Sequence, residues 1–314
     1  MILILSEKFD VPTKNVVSEL KVQNADYQII CGADLLEKSF SIDIKKNLLY
    51  LNNKKIGNFN IVWYRRWLYS LFEFSNNAKE HEYLKREFGE LSSNFMFNLS
   101  TKKWLNIPPF INPYPSKACQ LKEARKCGLK IPNTMVTNNS SALKKFYLEN
   151  KQNIISKNLS DPYFFKKNEE QYATYTTHVE KDDIESGKPL FFPSLFQNNI
   201  DKNIEIRAFY FLGQFYSYAI FSSNNVQTNI DYRIYDYNHP NRIMKYELPK
   251  HLKMKLTYLM EKLNLHTGSI DIIKNKNEDF YFLEVNPQGQ FGGLKEYGLN
   301  IEKDIANYLI ENDK

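Results

Sequence analysis

The sequence predicts an α/β protein of about two to three domains. Three observations carry that prediction. The 314-residue chain opens with an apolar run, an amphipathic stretch and a second apolar run, the pattern of a β-α-β unit. Between Ile107 and Pro115, the residues Pro108, Pro109, Pro113 and Pro115 lock φ, remove backbone donors and so mark a boundary. From Phe191 onward, strand-like alternation folds back on itself in hairpins. A hydrophobic fraction of 42%, with 21 Tyr and 22 Phe, is enough to bury a real interior.

Taken in order, residues 2–5 read as a buried parallel strand, 13–22 as a helix and 27–30 as a second strand. Short strands at 41–44 and 48–51 precede another buried strand at 61–64, which ends in Arg65-Arg66-Trp67, and a long helix follows at 78–98. This makes a first domain of residues 1–115. Ser116 is a natural N-cap and Gly128 a natural stop for the next helix, which opens a second domain, 116–190, with a strand at 154–157. The third, 191–314, holds strands at 191–197, 204–212 and 214–221, with Gly213 at a turn. A second hairpin then pairs 269–273 with 280–286, and a helix at 301–311 closes the chain.

Charge excludes some functions. Against 42 Lys and Arg stand 36 Asp and Glu, a net +6 spread over scattered pairs such as Lys45-Lys46 and Lys166-Lys167. A nucleic-acid binder shows a basic stripe or a known module, so no nucleic-acid partner is expected, whereas phosphates or an acidic peptide fit. Cys31, Cys119 and Cys127 have no C-x-x-C spacing, which argues against a disulfide framework and against a zinc site. Residues 1–5 are too short for a signal segment, and no stretch reaches the roughly 20 apolar residues that span a bilayer. No membrane association and a cytoplasmic location are the expectations.

The second hairpin carries the chemistry. Side chains on a strand alternate faces, so Glu284 and Asn286 point the same way, about 7 Å apart. If Ile273 pairs with Phe280, Asp271 lies opposite Phe282 on that same face, diagonal to Glu284. Two carboxylates and an amide oxygen suit magnesium, which takes hard oxygen ligands and completes its shell with waters and phosphates. An exposed hairpin with a polar outer face is the plainer reading, but Phe280, Phe282 and Val285 argue for a covered one.

Gly268-Ser269-Ile270-Asp271, followed by Glu284-Val285-Asn286-Pro287, resembles the metal-binding end of the ATP-grasp superfamily. Earlier segments resemble it in order: Ser116-Lys117 with the helix to Gly128, Lys157 at the position of its nucleotide lysine, Gln197 in its adenine-facing hinge, and Glu205-Ile206-Arg207. Val62-Trp63-Tyr64-Arg65-Arg66, Asp231-Tyr232-Arg233 and the run after Leu283 are similar to the graspetide, or microviridin-type, peptide maturases. The resemblance implies an ATP-grasp fold, with an N-terminal α/β domain preceding it and a nucleotide site between two α+β lobes. It implies ATP and Mg2+ as cofactors, a ribosomal precursor peptide as partner, and a homodimer. The reaction would activate Asp or Glu side chains as acyl phosphates and close ester or amide rings with Ser, Thr or Lys.

Under that resemblance Lys117 and Lys157 neutralise phosphates, with Gln197 and Glu205 completing the nucleotide site. Asp271, Glu284 and Asn286 hold the metal. Arg207 holds a phosphoryl group with its fork or forms a cross-strand ion pair. Arg233 binds the transferring phosphoryl group or the acceptor carboxylate. Arg65 and Arg66 end a parallel strand, where open α/β sheets present ligand groups, and either read acidic residues of the peptide or form structural salt bridges. Residues 158–178 contain no glycine, so the loop with Thr174, Thr176 and Thr177 stands where many relatives of this superfamily have a glycine-rich one. The competing readings are a ligase that adds free amino acids to a carboxylate and a non-catalytic nucleotide- or peptide-binding protein.

Overall fold

The computed structural model describes residues 1–67, 73–160, 164–167, 170–185, 187–222, 239–291 and 294–314. They form two compact units, Met1–Tyr114 with Gln290–Lys314, and Pro115–Gly289. In the first, β1 (Ile2–Ser6), α1 (Val11–Val22) and β2 (Tyr27–Cys31) make the β-α-β opening. Every residue of β1 is buried, as in a strand covered on both faces. Asp10 caps α1, its carboxylate accepting the Thr13 N–H at 3.0 Å, and Pro12 sits in the first turn, where a missing N–H costs nothing. After α2 (Asp34–Glu37), the strands β3 (Phe40–Asp43), β4 (Leu48–Leu51) and β5 (Lys54–Lys55) form a small antiparallel sheet. Then β6 (Phe59–Tyr64), α3 (Ala78–Phe97) and β7 (Thr101–Leu105) complete a parallel sheet of order β2-β1-β6-β7. In its core Trp67 stacks on Phe95, ring centroids 5.1 Å apart, and donates its indole N–H to the Ile30 carbonyl at 2.9 Å.

The second unit opens on α4 (Lys117–Lys126), capped by Ser116 and released at Gly128, whose φ of 74° is open to glycine at little cost. Next come β8 (Thr134–Asn139), α5 (Ser140–Glu149), β9 (Ile154–Lys157), the hairpin β10 (Phe164–Lys167) and β11 (Glu170–Ala173), β12 (Thr177–His178), α6 (Lys181–Glu185) and β13 (Leu190–Asn198). Four of these strands form an antiparallel sheet of order β12-β9-β13-β8. The rest of the unit is β14 (Lys202–Phe211), β15 (Gln214–Phe221), β16 (Arg242–Lys245), α7 (Lys250–Lys262), β17 (Thr267–Asn275) and β18 (Phe280–Asn286). Its five strands are all antiparallel, in the order β16-β15-β14-β17-β18.

The chain ends in α8 (Ile301–Glu311), which packs on α1 in the first unit. Gln23 donates to the Asn307 side-chain carbonyl at 3.0 Å, and Asn15 to Glu302 at 3.4 Å. The linear division expected from sequence placed all of 191–314 in one lobe, whereas Gln290–Lys314 joins the N-terminal unit. The reason is the apolar stripe of α8, Ile301, Ile305 and Leu309, which is buried alongside α1.

The register of the second hairpin also differs from the expected one. Lys274, not Ile273, pairs with Phe280, and the ladder shifts between Ile272, opposite Phe282, and Asp271, opposite Glu284. The extra residue on β18 is a β-bulge. Phe282 and Val285 are both buried, at 1% and 2% exposure, although three residues apart. A strictly alternating strand cannot bury both, and the bulge reconciles them.

Candidate active site

Within the second unit, β9 and β13 belong to one sheet and β14, β17 and β18 to the other, linked by residues 199–201. A cleft is lined by Lys157, Gln197, Glu205, Arg207, Asp271 and Glu284. Six side chains singled out from separate stretches of sequence therefore share one cavity. On β9 the residues that line it alternate, Ile155 and Lys157, whereas β14 contributes the consecutive run Glu205, Ile206 and Arg207.

The cleft's charges are paired in a definite pattern. Arg207 and Asp271 are direct cross-strand neighbours, with Nε 3.4 Å from Oδ1. Lys117 reaches from the first turn of α4 to Glu284, Nζ to Oε2 3.1 Å, and also donates to the Ser160 carbonyl at 2.8 Å. Glu205 accepts from Lys202 and from the Ser222 hydroxyl, each at 2.6 Å. Asp271 and Glu284 face each other across the ladder, at side-chain exposures of 23% and 25%. Two carboxylates opposed in this way, each beside a cation that a phosphate could claim, match the hard-oxygen set that magnesium takes when waters and phosphates complete its shell. Among the described residues no cluster of three or more His, Cys, Asp or Glu is placed to hold a metal.

Asn286 lies two residues beyond Glu284 on β18, opposite Ser269, and its side-chain oxygen accepts the Gln288 N–H at 3.0 Å. Gln197 lines the cleft while its amide donates to the Thr134 hydroxyl at 3.0 Å. Thr176 is buried at the cleft, and Thr174 is held by Asn158, whose amide donates to its hydroxyl at 2.6 Å. Arg233 lies outside the described residues.

Arg65 and Arg66 belong to the first unit. Arg65 is 2% exposed. Its Nε donates to Asp10 at 2.7 Å, its Nη2 to Gln290 at 3.1 Å, and its guanidinium lies 4.5 Å from the centre of the Phe291 ring. That is the salt-bridge arrangement of the two readings open for it. Arg66 has a positive φ of 50°, uncommon for a side chain of this size, and its Nε is 4.0 Å from Asp10. Burial raises the Asp10 carboxyl, but Arg65, with hydrogen bonds from Arg65 and Thr13, outweighs it and holds the group below the ordinary carboxylate range.

Two residues of this region escaped the sequence reading. Lys202 is 7% exposed because the ladder shifts between it and Ile204, which turns it toward Glu205. The signal available was its position three before Glu205, which an unbulged strand would place on opposite faces. Gln120 is 4% exposed on α4, with nothing in its local sequence to mark it out.

No protein-family model matches the chain, and no curated protein matches it. Solved structures do. A Chryseobacterium gregarium RiPP-associated ATP-grasp ligase in complex with ADP and a leader and core peptide is 24% identical, with a TM-score of 0.87 over 100% of this chain and 98% of that one. The macrocyclase MdnC from Microcystis aeruginosa, bound with its precursor peptide MdnA, is 26% identical, with a TM-score of 0.82 over 99% of each chain. The macrocyclase MdnB from the same organism is 26% identical, with a TM-score of 0.77 over 98% of each.

Proposed function

Because the chain has the ATP-grasp fold and is similar over its whole length to macrocyclases of that fold, we propose that it is an ATP-dependent ligase that closes rings within a ribosomal precursor peptide. The observation that supports this most directly is the cleft in which Lys157, Arg207, Asp271 and Glu284 meet, with Lys117 on Glu284. Those are the cations and hard oxygens that a triphosphate and its metal require, in one place.

Lys117 and Lys157 act as compact charges on the phosphates. Asp271, Glu284 and Asn286 would hold magnesium, which would supply neutralisation of the phosphate charge. Arg207 presents its fork to the transferring phosphoryl group. A carboxylate oxygen of an Asp or Glu in the peptide attacks the γ-phosphorus, the bond to the bridging oxygen breaks, and ADP leaves. The acyl phosphate is then attacked at its carbonyl carbon by a Ser or Thr hydroxyl, or a Lys amine, which loses its proton as phosphate departs. An ester or amide closes the ring. Catalysis in this scheme rests on positioning and charge stabilisation, so the nucleophile comes from the substrate. Arg233 takes the transferring phosphoryl group or the acceptor carboxylate, and Arg66 an acidic residue of the peptide.

Intact-mass analysis of a candidate precursor incubated with the protein, ATP and Mg2+ tests this reading. The expected product is lighter by the mass of one water per ring, and an Asp271→Ala/Glu284→Ala double variant leaves the peptide unchanged. ATP consumption on adding some other carboxylate and amine, with no change in the peptide, would move the assignment to a ligase of free substrates.

A further inference from the structure

The metal-bearing strand β18 is an edge strand, since the five-stranded sheet ends on it. Among the described residues no strand lies along its outer edge, which carries one isolated bridge, Tyr281 to Lys130, and an edge without a partner strand is free to fray or shift register. One side chain takes over where it matters. The Gln120 carbonyl oxygen accepts the Val285 N–H at 2.8 Å, and its amide nitrogen donates to the Val285 carbonyl at 3.0 Å. The same nitrogen donates to the Pro115 carbonyl at 2.9 Å, just before α4 begins. Both amide protons are thereby used, and the side chain imitates the peptide group of a missing neighbouring strand.

The position of this clamp is informative. Val285 is the residue between Glu284 and Asn286, and its own side chain is buried on the opposite face. A rotation of the backbone at Val285 would swing both flanking side chains together. The helix that carries Gln120 also carries Lys117, one turn earlier on the same face, whose ammonium contacts Glu284. Further along, the Phe282 N–H donates to the Lys130 carbonyl at 2.9 Å, so the outer edge is pinned on both sides of the bulge.

We propose that Gln120 is a positioning residue for the metal site: through Val285 it sets the spacing and direction of Glu284 and Asn286, and it registers them against Lys117. The inference rests on the ATP-grasp reading above. Residues one layer behind a metal ligand typically change metal affinity by about 10- to 100-fold when removed.

The test measures ADP binding by calorimetry across a Mg2+ titration, for the full chain and for Gln120→Met, Gln120→Glu and Leu121→Ala. Gln120→Met removes the clamp at similar volume. Gln120→Glu keeps an acceptor for the Val285 N–H but loses the donors, and covers the case in which the first variant does not fold. Leu121 is buried on the same helix, 4% exposed, without touching the strand's backbone groups in this way, so its truncation reports what mere loss of helix packing does. Both Gln120 variants should need about tenfold more Mg2+ or greater to reach half-maximal enhancement of ADP binding, while metal-free ADP affinity stays within about twofold. Leu121→Ala should lower Tm with an unchanged Mg2+ midpoint. Equal Mg2+ midpoints in wild type and the Gln120 variants would overturn the proposal, as would a shift in Leu121→Ala as large as theirs. If the wild type itself shows no Mg2+-dependent ADP binding, the ATP-grasp activity fails instead.

Discussion

Asp10 does two things in the first unit: it caps α1 and balances Arg65 in the interior. Asn caps a helix as well as Asp, so Asp10→Asn isolates the charge. Leaving Arg65 buried without its counter-ion should cost about 3–5 kcal/mol, read as a drop in the denaturant midpoint. The pH dependence has a definite sign. Because the folded Asp10 carboxyl titrates below its unfolded value of about 3.9, its contribution is complete above that pH and fades as pH falls through the lower folded value. Acid unfolding of the wild type should therefore begin below about pH 4 for this group, and Asp10→Asn should flatten that part of the curve. In the cleft, Asp271→Ala or Glu284→Ala alone should lower kcat by about 1,000-fold or more, the loss of several kcal/mol of charge stabilisation, with folding retained by circular dichroism.

At the scale of elements, the β17–β18 hairpin is decisive, and its tolerances are tight. A Cβ at Gly268 would stand 2.6 Å from Val285 Cγ2 and 3.3 Å from the Asn286 carbonyl oxygen. Gly268→Ala should thus destabilise the protein by about 1–3 kcal/mol and, under the proposed function, weaken Mg2+ binding, since the strain falls between Glu284 and Asn286, the side chains assigned to the metal. The charge pairs that α4 and β14 make with this hairpin give a second expectation. Lys117 and Arg207 contact Glu284 and Asp271, the side chains assigned to metal. Under the proposed function, phosphate and magnesium would compete with those pairs from opposite sides, so each should ease the other's entry. ADP titrated with and without Mg2+ should show the coupling, about 1–3 kcal/mol; identical ADP affinities in the two titrations would remove it.

For the whole molecule, the C-terminal helix binds the two ends of the chain into one unit. The N-terminal amine of Met1 pairs with Asp313, and α8 packs along α1. Removing residues 301–314 should expose α1 and the parallel sheet to protease while α4 to β18 stay resistant, which limited proteolysis with mass mapping would reveal. Periodicity in the sequence was enough for β1, α1, the strand at Ile154–Lys157 and the hairpin arm Phe280–Asn286, because each carries its apolar face in its own local pattern. The grouping of Lys157, Arg207, Asp271 and Glu284 came from their resemblance, as ordered motifs, to the ATP-grasp superfamily, and the four line one cleft. The bulge that sets Asp271 against Glu284, the turning of Lys202 toward Glu205, the clamp from Gln120 and the return of α8 to the N-terminal unit were not legible in the sequence. The physical reason is common to them all. Residue type and period determined which segments form strands and helices and which chemistry they carry, through forces that act within a few residues. Register at a bulge, a side chain serving as a strand and the destination of a helix depend on partners far away in sequence, and only tertiary packing decided them.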